Sequence, residues 1–171
     1  MSDAQKMQKP RGVSLSKAGN IARLRALRNK NITATNETAV PVPAYEIGTV
    51  MEDGMVYAGI SPDTNKAMYV MPADEFLKMN FNEAAAHAEH ISQLSGKPYR
   101  LPSEAELDVL FNNRAAIGGF NADGPNNHHP CWHWSSSAGG IDSLARVRRF
   151  DNGGRSSDTK VHEISVRLVR N

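Results

Sequence analysis

The fold is decided by the stretch Gly96-Lys-Pro-Tyr-Arg-Leu-Pro-Ser-Glu-Ala-Glu-Leu107, in which one helix is predicted to end and a second to begin. Gly96 follows a segment whose apolar residues recur at helical spacing, and glycine is the preferred residue just past a helix end. We expect Asn82 to cap this first helix, with one face formed by Ala84, Ala88, Ile91 and Leu94. Ser103 and Glu106 have the spacing of a capping box, which begins a helix by satisfying its first backbone N–H groups. The buried stripe of this second helix is predicted to be Leu107, Leu110 and Phe111.

Strand patterns lie on both sides of the two helices. Met55–Ile60 and Ala67–Met71 are rich in β-forming residues and are joined by the turn-rich Ser61–Lys66, so they predict a hairpin. Ala115–Pro130 is rich in Gly, Asn and His and predicts a long surface loop. Three short strands are predicted after this loop: Trp132–Ser136, Ala145–Phe150 and Ile164–Arg170. The pattern predicts an α+β domain over residues 45–171.

Side-chain alternation in the second of these strands predicts which residues face outward. Ala145 and Val147 should pack inward, so Arg146 and Arg148 should project outward beside His133 of the neighbouring strand. Arginine forks on such a surface suit carboxylates, phosphates or a polar protein surface. The alternative is a solvated sheet face that binds nothing. With the turn residues added, the expected ligand-binding surface comprises His133, Asp142, Ser143, Arg146, Arg148, Asp151, Asn152 and Arg155.

The sequence offers little for catalysis or for a cofactor. His129, Cys131 and His133 alternate and would point the same way on an extended segment, as metal ligands could. Pro130 and the lack of a second Cys/His cluster favour a solvent-facing loop instead. Ser135–Ser137 lack the glycine-flanked turn of a nucleophile elbow, and their hydroxyls are expected to bond to nearby backbone. We therefore expect no catalytic residue, no metal and no cofactor.

The charge of the chain is divided unevenly. Residues 1–30 carry eight basic side chains and one acidic one, a net charge of +7, whereas residues 31–171 carry twelve basic and seventeen acidic ones, a net charge of −5. We interpret residues 1–44 as a basic arm and linker that holds a short amphipathic helix. The arm could bind nucleic-acid phosphates, resemble an organelle transit peptide, or dock onto a larger assembly. The residues expected to anchor it are Ile21, Arg23, Leu24, Arg25, Leu27 and Arg28.

No segment predicts export or membrane insertion. The N-terminus lacks the apolar core of a secretory signal, and no apolar run approaches the roughly 20 residues that a membrane span needs. Cys131 is the only cysteine, so an internal disulfide is excluded. We expect synthesis in the cytoplasm, which is also where a virus particle assembles in its host cell.

Two stretches resemble a single protein superfamily. Phe81-Asn-Glu-Ala-Ala-Ala-His-Ala88, taken through to Arg100-Leu-Pro-Ser-Glu-Ala-Glu106, resembles the helix–loop–helix of the formylglycine-generating-enzyme superfamily. Trp132-His-Trp-Ser-Ser-Ser137, followed by Arg149-Phe150 and Val166-Arg-Leu-Val-Arg170, resembles an uncharacterised bacterial and phage branch of it. The resemblance implies the C-type-lectin fold, with two helices and a small, irregular, mostly antiparallel sheet.

The resemblance extends to phage tropism determinants and retroelement-diversified proteins built on this fold. Five of the expected surface residues match exposed, changeable positions in those proteins: His133, Arg146, Arg148, Asp151 and Arg155. Scaffold positions match Trp134, Ala145, Phe150 and Gly153. The sulfatase-modifying enzymes have paired cysteines, whereas this sequence has one cysteine. Calcium-dependent lectins have Glu-Pro-Asn or Gln-Pro-Asp runs and Trp-Asn-Asp runs, and this sequence contains none of them. Oxidase activity and calcium-mediated sugar binding are therefore not expected.

Together, the divided charge, the missing signal and the resemblance predict a non-enzymatic structural and recognition protein of a phage or phage-like particle. Its arm would dock to other virion subunits, with no membrane involved. Its head, in a homo-oligomer, would bind a host surface receptor, a glycan or a neighbouring virion protein. Two alternatives stay open: an enzyme of the formylglycine-generating or a metal-dependent type, and a nucleic-acid-associated protein that binds through its arm.

Overall fold

The computed structural model describes residues 45–120 and 131–171, so the predicted arm, its anchor residues between Ile21 and Arg28, and His129 lie outside the described residues. The described residues form a mixed α+β structure of two small antiparallel sheets and three helices, which confirms the predicted class. None of these helices is long and apolar enough to cross a membrane. The elements in chain order are β1 (Val56–Ile60), β2 (Ala67–Val70), α1 (Phe81–Ser95), α2 (Glu104–Asn112), α3 (Arg114–Ile117), β3 (Trp132–Ala138), β4 (Leu144–Arg149), β5 (Arg155–Thr159) and β6 (Val169–Arg170).

Helix α1 begins earlier than the sequence pattern predicted. The N-cap is Asn80 rather than Asn82: its side chain accepts a hydrogen bond from the backbone N–H of Glu83 at 3.0 Å, and the Glu83 carboxylate accepts one from the N–H of Asn80 at 3.1 Å. The residue three positions after Asn82 is Ala85, which has no side-chain acceptor to complete such a box. The helix ends at Gly96 as predicted, in the left-handed conformation with a φ of +66°.

The buried face of α1 is narrower than predicted. Ala84 and Ala88 are buried and Ile91 is half-buried, but Leu94 is 72% exposed, so its predicted burial is wrong. Leu94 lies six residues after Ala88, which places it about 120° around the helix at roughly 3.6 residues per turn. The apolar stripe therefore rotates away from the core before the last turn.

Helix α2 begins at the predicted capping box. The Ser103 hydroxyl accepts from the N–H of Glu106 at 3.1 Å, and the Glu106 carboxylate accepts from the N–H of Ser103 at 3.0 Å. Leu107 and Leu110 are fully buried as predicted. Phe111 is partly buried and completes the stripe.

Helix α3 lies where a surface loop was predicted from Ala115 onward. Ile117 is buried, and Phe120 packs against the core, where its ring stacks on Phe150 with centroids 4.4 Å apart. The start of the predicted surface loop is therefore wrong, because a four-residue helix is too short to produce a recognisable apolar period. Residues 121–130, the rest of that loop, lie outside the described residues.

The first sheet has the strand order β1–β2–β6. The predicted hairpin is confirmed as β1 and β2, and the last strand pairs with β2, opposite β1. The predicted extent of that last strand is wrong: only Val169–Arg170 forms a ladder, while Ile164 makes an isolated bridge to Met79. The C-terminal segment thus ties the first hairpin to the region before α1.

The second sheet has the strand order β3–β4–β5. Strand β5 was not predicted, because Arg155-Ser-Ser-Asp-Thr159 lacks the apolar alternation of a half-buried strand. It forms an edge of the sheet and packs little side-chain surface inward. The register of β3 against β4 shifts between Trp134 and Ala138, so β3 carries a bulge at its serines.

The second sheet is covered on both faces. On one face, Trp134, Ala145 and Val147 pack in an apolar cluster with residues of α1. On the other face, α2 lies against β3 and β4 and buries Leu107 and Leu110 in a second cluster. A residue that alternates away from the first cluster is therefore not necessarily exposed to solvent.

Candidate recognition surface

The predicted alternation of β4 is confirmed, but its consequence for exposure is not. Ala145 and Val147 are buried, and Arg146 and Arg148 point to the opposite face. His133, Arg148 and Arg155 are directly opposite one another in the register of β3, β4 and β5, so they share this face. Helix α2 and the aromatic residues beside it cover the β3 side of the face, and only its β5 side is open.

His133 is fully buried, so its predicted place on a display surface is wrong. Its Nε2 lies 2.9 Å from Oδ2 of Asp74, and its Nδ1 lies 3.2 Å from the carbonyl oxygen of Cys131. The rings of Phe120 and Phe150 pack against the imidazole, with centroids 5.8 and 4.4 Å away. The β3 side of this face is therefore covered by Phe120, a residue that was predicted to belong to a surface loop.

Asp74 links His133 to a second buried side chain that sequence reasoning missed. Arg167 is fully buried and donates to Oδ1 of Asp74 at 3.0 Å and to the carbonyl oxygens of Gly118 and Gly119, each at 2.7 Å. Burial lowers the pKa of Arg167, and the charge of Asp74 opposes that shift. Neither Asp74, His133 nor Arg167 reaches solvent in the described part of the chain, so the network holds segments together.

Arg148 is buried as well, which corrects its predicted exposure. Its guanidinium donates to the Asp108 carboxylate and lies over the Phe111 ring, 4.6 Å from the centroid. Burial lowers the pKa of Arg148, while the charge of Asp108 raises it. The position alternates outward as predicted, but α2 covers it.

Two of the predicted arginines remain open to solvent. The side chains of Arg146 and Arg155 are 42% and 58% exposed. Arg155 donates to the Asp108 carboxylate, and Nε of Arg146 lies 3.7 Å from a Glu104 carboxylate oxygen. Glu104 and Asp108 are four residues apart on α2, so both lie on the side of the helix that faces Arg146 and Arg155.

A depression of about 400 Å³ opens beside these two ion pairs. It lies between the first turn of α2, the bulge of β3 and the edge strand β5. We call it the charged depression; its lining residues are Asp63, Ser103, Glu104, Ala105, Asp108, Ser137 and Arg155. Three carboxylates and one guanidinium at an open sheet edge can form charge-assisted hydrogen bonds with a polar partner.

The remaining predicted surface residues are exposed but lie in two separate turns. Asp142 and Ser143 precede β4, whereas Asp151 and Asn152 follow it. The six residues of β4 separate these turns by about 20 Å at roughly 3.4 Å per residue. The structure therefore does not combine the eight predicted residues into one patch.

The Arg-Leu-Pro-Ser-Glu-Ala-Glu run that carries the resemblance has a structural role. Glu106 is fully buried and accepts hydrogen bonds from the Ser61 hydroxyl at 2.5 Å and from Arg100 at 2.5 and 2.7 Å. Burial raises the pKa of Glu106, but the hydrogen bonds from Arg100, Ser61 and the Ser103 backbone outweigh it, and the net shift is downward. The run therefore ties α2 to the connection between β1 and β2.

The hydroxyls of Ser135 and Ser136 in β3 are hydrogen-bonded to backbone groups. Ser135 Oγ accepts from the N–H of Ser137 at 2.9 Å, and the Ser136 hydroxyl donates to the carbonyl of Pro102 at 3.3 Å, which confirms their predicted bonding to backbone. Cys131 is buried with a φ of +63°. Among residues 45–120 and 131–171, no three His, Cys, Asp or Glu side chains lie close enough together to hold a metal.

Comparison of the chain with models of known protein families gives no match, and neither does comparison with curated proteins.

Proposed function

We propose that residues 45–171 form a C-type-lectin-like recognition head that binds a polar partner through the charged depression and catalyses no reaction. The observation that carries the proposal is a contrast between two groups of polar side chains. The buried ones are engaged with one another, whereas Glu104 and Arg155 line an opening at the edge of a sheet, and the exposed Arg146 lies beside Glu104.

The arrangement of elements supports a lectin-like head. Two helices with complete capping boxes pack against small antiparallel sheets, and the last strand returns to pair with the first hairpin. Edge strand β5 and the turns on either side of β4 then lie at the periphery. Loops and edges held by a rigid scaffold are the usual location of binding residues.

The interior supports binding over catalysis. Asp74, His133 and Arg167 have the residue types of a catalytic centre, but all three are enclosed in the described part of the chain. A general acid or base must come within hydrogen-bond reach of the group it serves. These side chains instead reach backbone carbonyls and one another.

The chemistry of the charged depression suits a partner with alternating charges. Arg155 offers a planar fork to a carboxylate or phosphate, and Glu104 offers an acceptor to a cationic or hydroxyl group. Such complementarity acts mainly on specificity and on the rate of encounter, and it is screened by salt. We therefore expect association to slow as ionic strength rises.

We further propose that the basic arm, residues 1–44, attaches this head to a phage or phage-like particle so that the charged depression faces the surface of a host cell. The support is the division of charge, +7 in residues 1–30 against −5 in the rest, together with the sequence resemblance to phage proteins.

Deletion of residues 1–44 tests the attachment. The truncated chain should be soluble and show the far-ultraviolet circular dichroism of a folded α+β domain. It should no longer sediment with particles from producing cells. Full-length chain should sediment with them even after nuclease treatment, which separates docking on protein from binding to nucleic acid. Truncated chain that still sediments with the particle would overturn the attachment.

A further inference from the structure

Three side chains form a row across one face of the first sheet. Tyr57 is opposite Tyr69 in the ladder of β1 and β2, and Tyr69 is opposite Arg170 in the ladder of β2 and β6. The two rings have centroids 5.9 Å apart, and the Arg170 guanidinium lies 4.8 Å from the centroid of Tyr69. Met68 and Val70 alternate to the other face, where they are buried in the core. The row therefore lies on the opposite face of the sheet from Met68 and Val70, where Tyr57 is itself buried and Tyr69 and Arg170 line an opening.

The segment before β1 folds over this row and leaves a cleft of about 580 Å³. The Tyr45 ring packs against Tyr57 with centroids 6.2 Å apart, yet Tyr45 is 47% exposed and so presents an open aromatic surface. Val50 and Met51 add an aliphatic wall, and Tyr69 is also part of the lining. The volume lies within the range of roughly 300–1,000 Å³ found for small-molecule sites.

The charged side chains of the cleft balance one another. Asp53 accepts hydrogen bonds from Nζ of Lys97 at 2.5 Å and from the Arg170 guanidinium at 2.6 Å. The hydrogen bond from Lys97 lowers the pKa of Asp53 to about 2, so its carboxylate is ionised at neutral pH. Glu52 also lines the cleft, so two acidic side chains face two basic ones. A strongly charged ligand would find no net counter-charge there, whereas a neutral polar ligand would find both donors and acceptors.

We propose that this cleft binds a neutral saccharide unit. A pyranose ring has one face of C–H groups, which fits the open aromatic surface of Tyr45 and the aliphatic wall beside it. Its hydroxyls both donate and accept, which fits Asp53 on one side and Lys97 and Arg170 on the other. The site goes beyond the proposed function, because it requires neither the basic arm nor the charged depression, which lies against the other sheet.

Saturation-transfer NMR on the full-length chain tests the site with a panel of methyl glycosides of glucose, galactose, mannose, N-acetylglucosamine and N-acetylgalactosamine. We expect at least one to bind with millimolar or better affinity, with the strongest transfer to the C–H protons of one ring face. Tyr45→Ala should weaken binding about tenfold or more, which corresponds to about 1.4 kcal/mol. Tyr69→Ala should have the same direction of effect.

Phe76→Ala is the matched control, because Phe76 is 98% exposed and does not line the cleft. It should bind the glycoside as the unmodified chain does, and so should the double variant Arg146→Glu and Arg155→Glu, which changes Arg155 in the charged depression and Arg146 beside it but no residue of the cleft. Failure of every glycoside to bind would overturn the proposal, as would binding that Tyr45→Ala leaves unchanged. Preference for methyl glucuronide over methyl glucoside would overturn the neutral class of ligand.

Discussion

Nε2 of His133 lies 2.9 Å from Oδ2 of Asp74, and neither side chain is exposed to solvent. The other oxygen of the same carboxylate pairs with Arg167, which also binds the carbonyls of Gly118 and Gly119. One carboxylate thus connects the segment after β2, strand β3 and the C-terminal segment. A histidine that alternation assigns to a binding surface is therefore part of the framework.

Replacement of Asp74 by alanine should destabilise the head by about 3–5 kcal/mol, because it leaves the buried Arg167 without its counter-charge. Denaturant unfolding followed by tryptophan fluorescence measures this loss. Asp142→Ala removes an exposed carboxylate and should change the free energy of unfolding by no more than about 0.5 kcal/mol. Equal stabilities for the two variants would contradict the role given to Asp74.

The buried Glu106 should make stability depend on acid. Its pKa in the folded state lies below the value of about 4.3 for an unfolded glutamate, so the folded state binds fewer protons than the unfolded state near that pH. Its contribution is complete well above pH 4.3 and is lost as the pH falls through the folded-state pKa. Unfolding midpoints measured from pH 7 down to pH 3 should fall less steeply for Glu106→Gln than for the unmodified chain.

The same glutamine variant should be less stable at pH 7 by about 1–3 kcal/mol, because Arg100 and Ser61 lose a charged acceptor. Glu104→Gln is the control, since Glu104 is on the same helix but its side chain is partly exposed to solvent. An unchanged acid profile in Glu106→Gln would show that other carboxylates govern the acid response.

Gly153 should not tolerate a side chain. Its φ is +78°, and a Cβ there would lie 2.7 Å from the Phe111 ring. Gly54 has a similar φ of +81° with nothing within 4 Å of its Cβ position. Alanine at either position costs about 1–2 kcal/mol of backbone strain. Gly153→Ala should cost clearly more than Gly54→Ala in thermal unfolding, and equal costs would mean that the contact with Phe111 is unimportant.

Truncation of two leucines on consecutive helices should have very different effects on stability. Leu107 is fully buried in α2, so Leu107→Ala should cost about 2–5 kcal/mol. Leu94 is largely exposed in the last turn of α1, so Leu94→Ala should cost no more than about 0.5 kcal/mol. Chemical denaturation of both variants checks the pair. A large cost at Leu94 would favour the apolar face expected from the sequence over the one in the structure.

The features that the sequence predicts correctly are local ones. The capping box of Ser103 and Glu106, the end of α1 at Gly96 and the hairpin of β1 and β2 each depend on residues a few positions apart. The alternation along β4 is local too, and it correctly separates the two faces of that strand.

The exposure of the site residues depends on distant partners and could not be predicted. His133 pairs with a residue 59 positions earlier, and Arg148 pairs with a residue 40 positions earlier. Alternation tells which face a side chain is on but not what packs over that face. Arg155 stays open because it lies on the edge strand β5, whose polar residues lack the apolar alternation of a half-buried strand. Arg146, on β4, is opposite Ser157 of the same edge strand.

The rate at which particles adsorb to host cells tests recognition through the charged depression most directly. Particles that carry the double variant Arg146→Glu and Arg155→Glu should adsorb at least about tenfold more slowly, with the same content of the protein per particle. His90→Glu and Gln93→Glu add two acids to the exposed face of α1 and should leave adsorption unchanged. An unchanged adsorption rate of the arginine variant, at equal protein content, would contradict recognition through the charged depression.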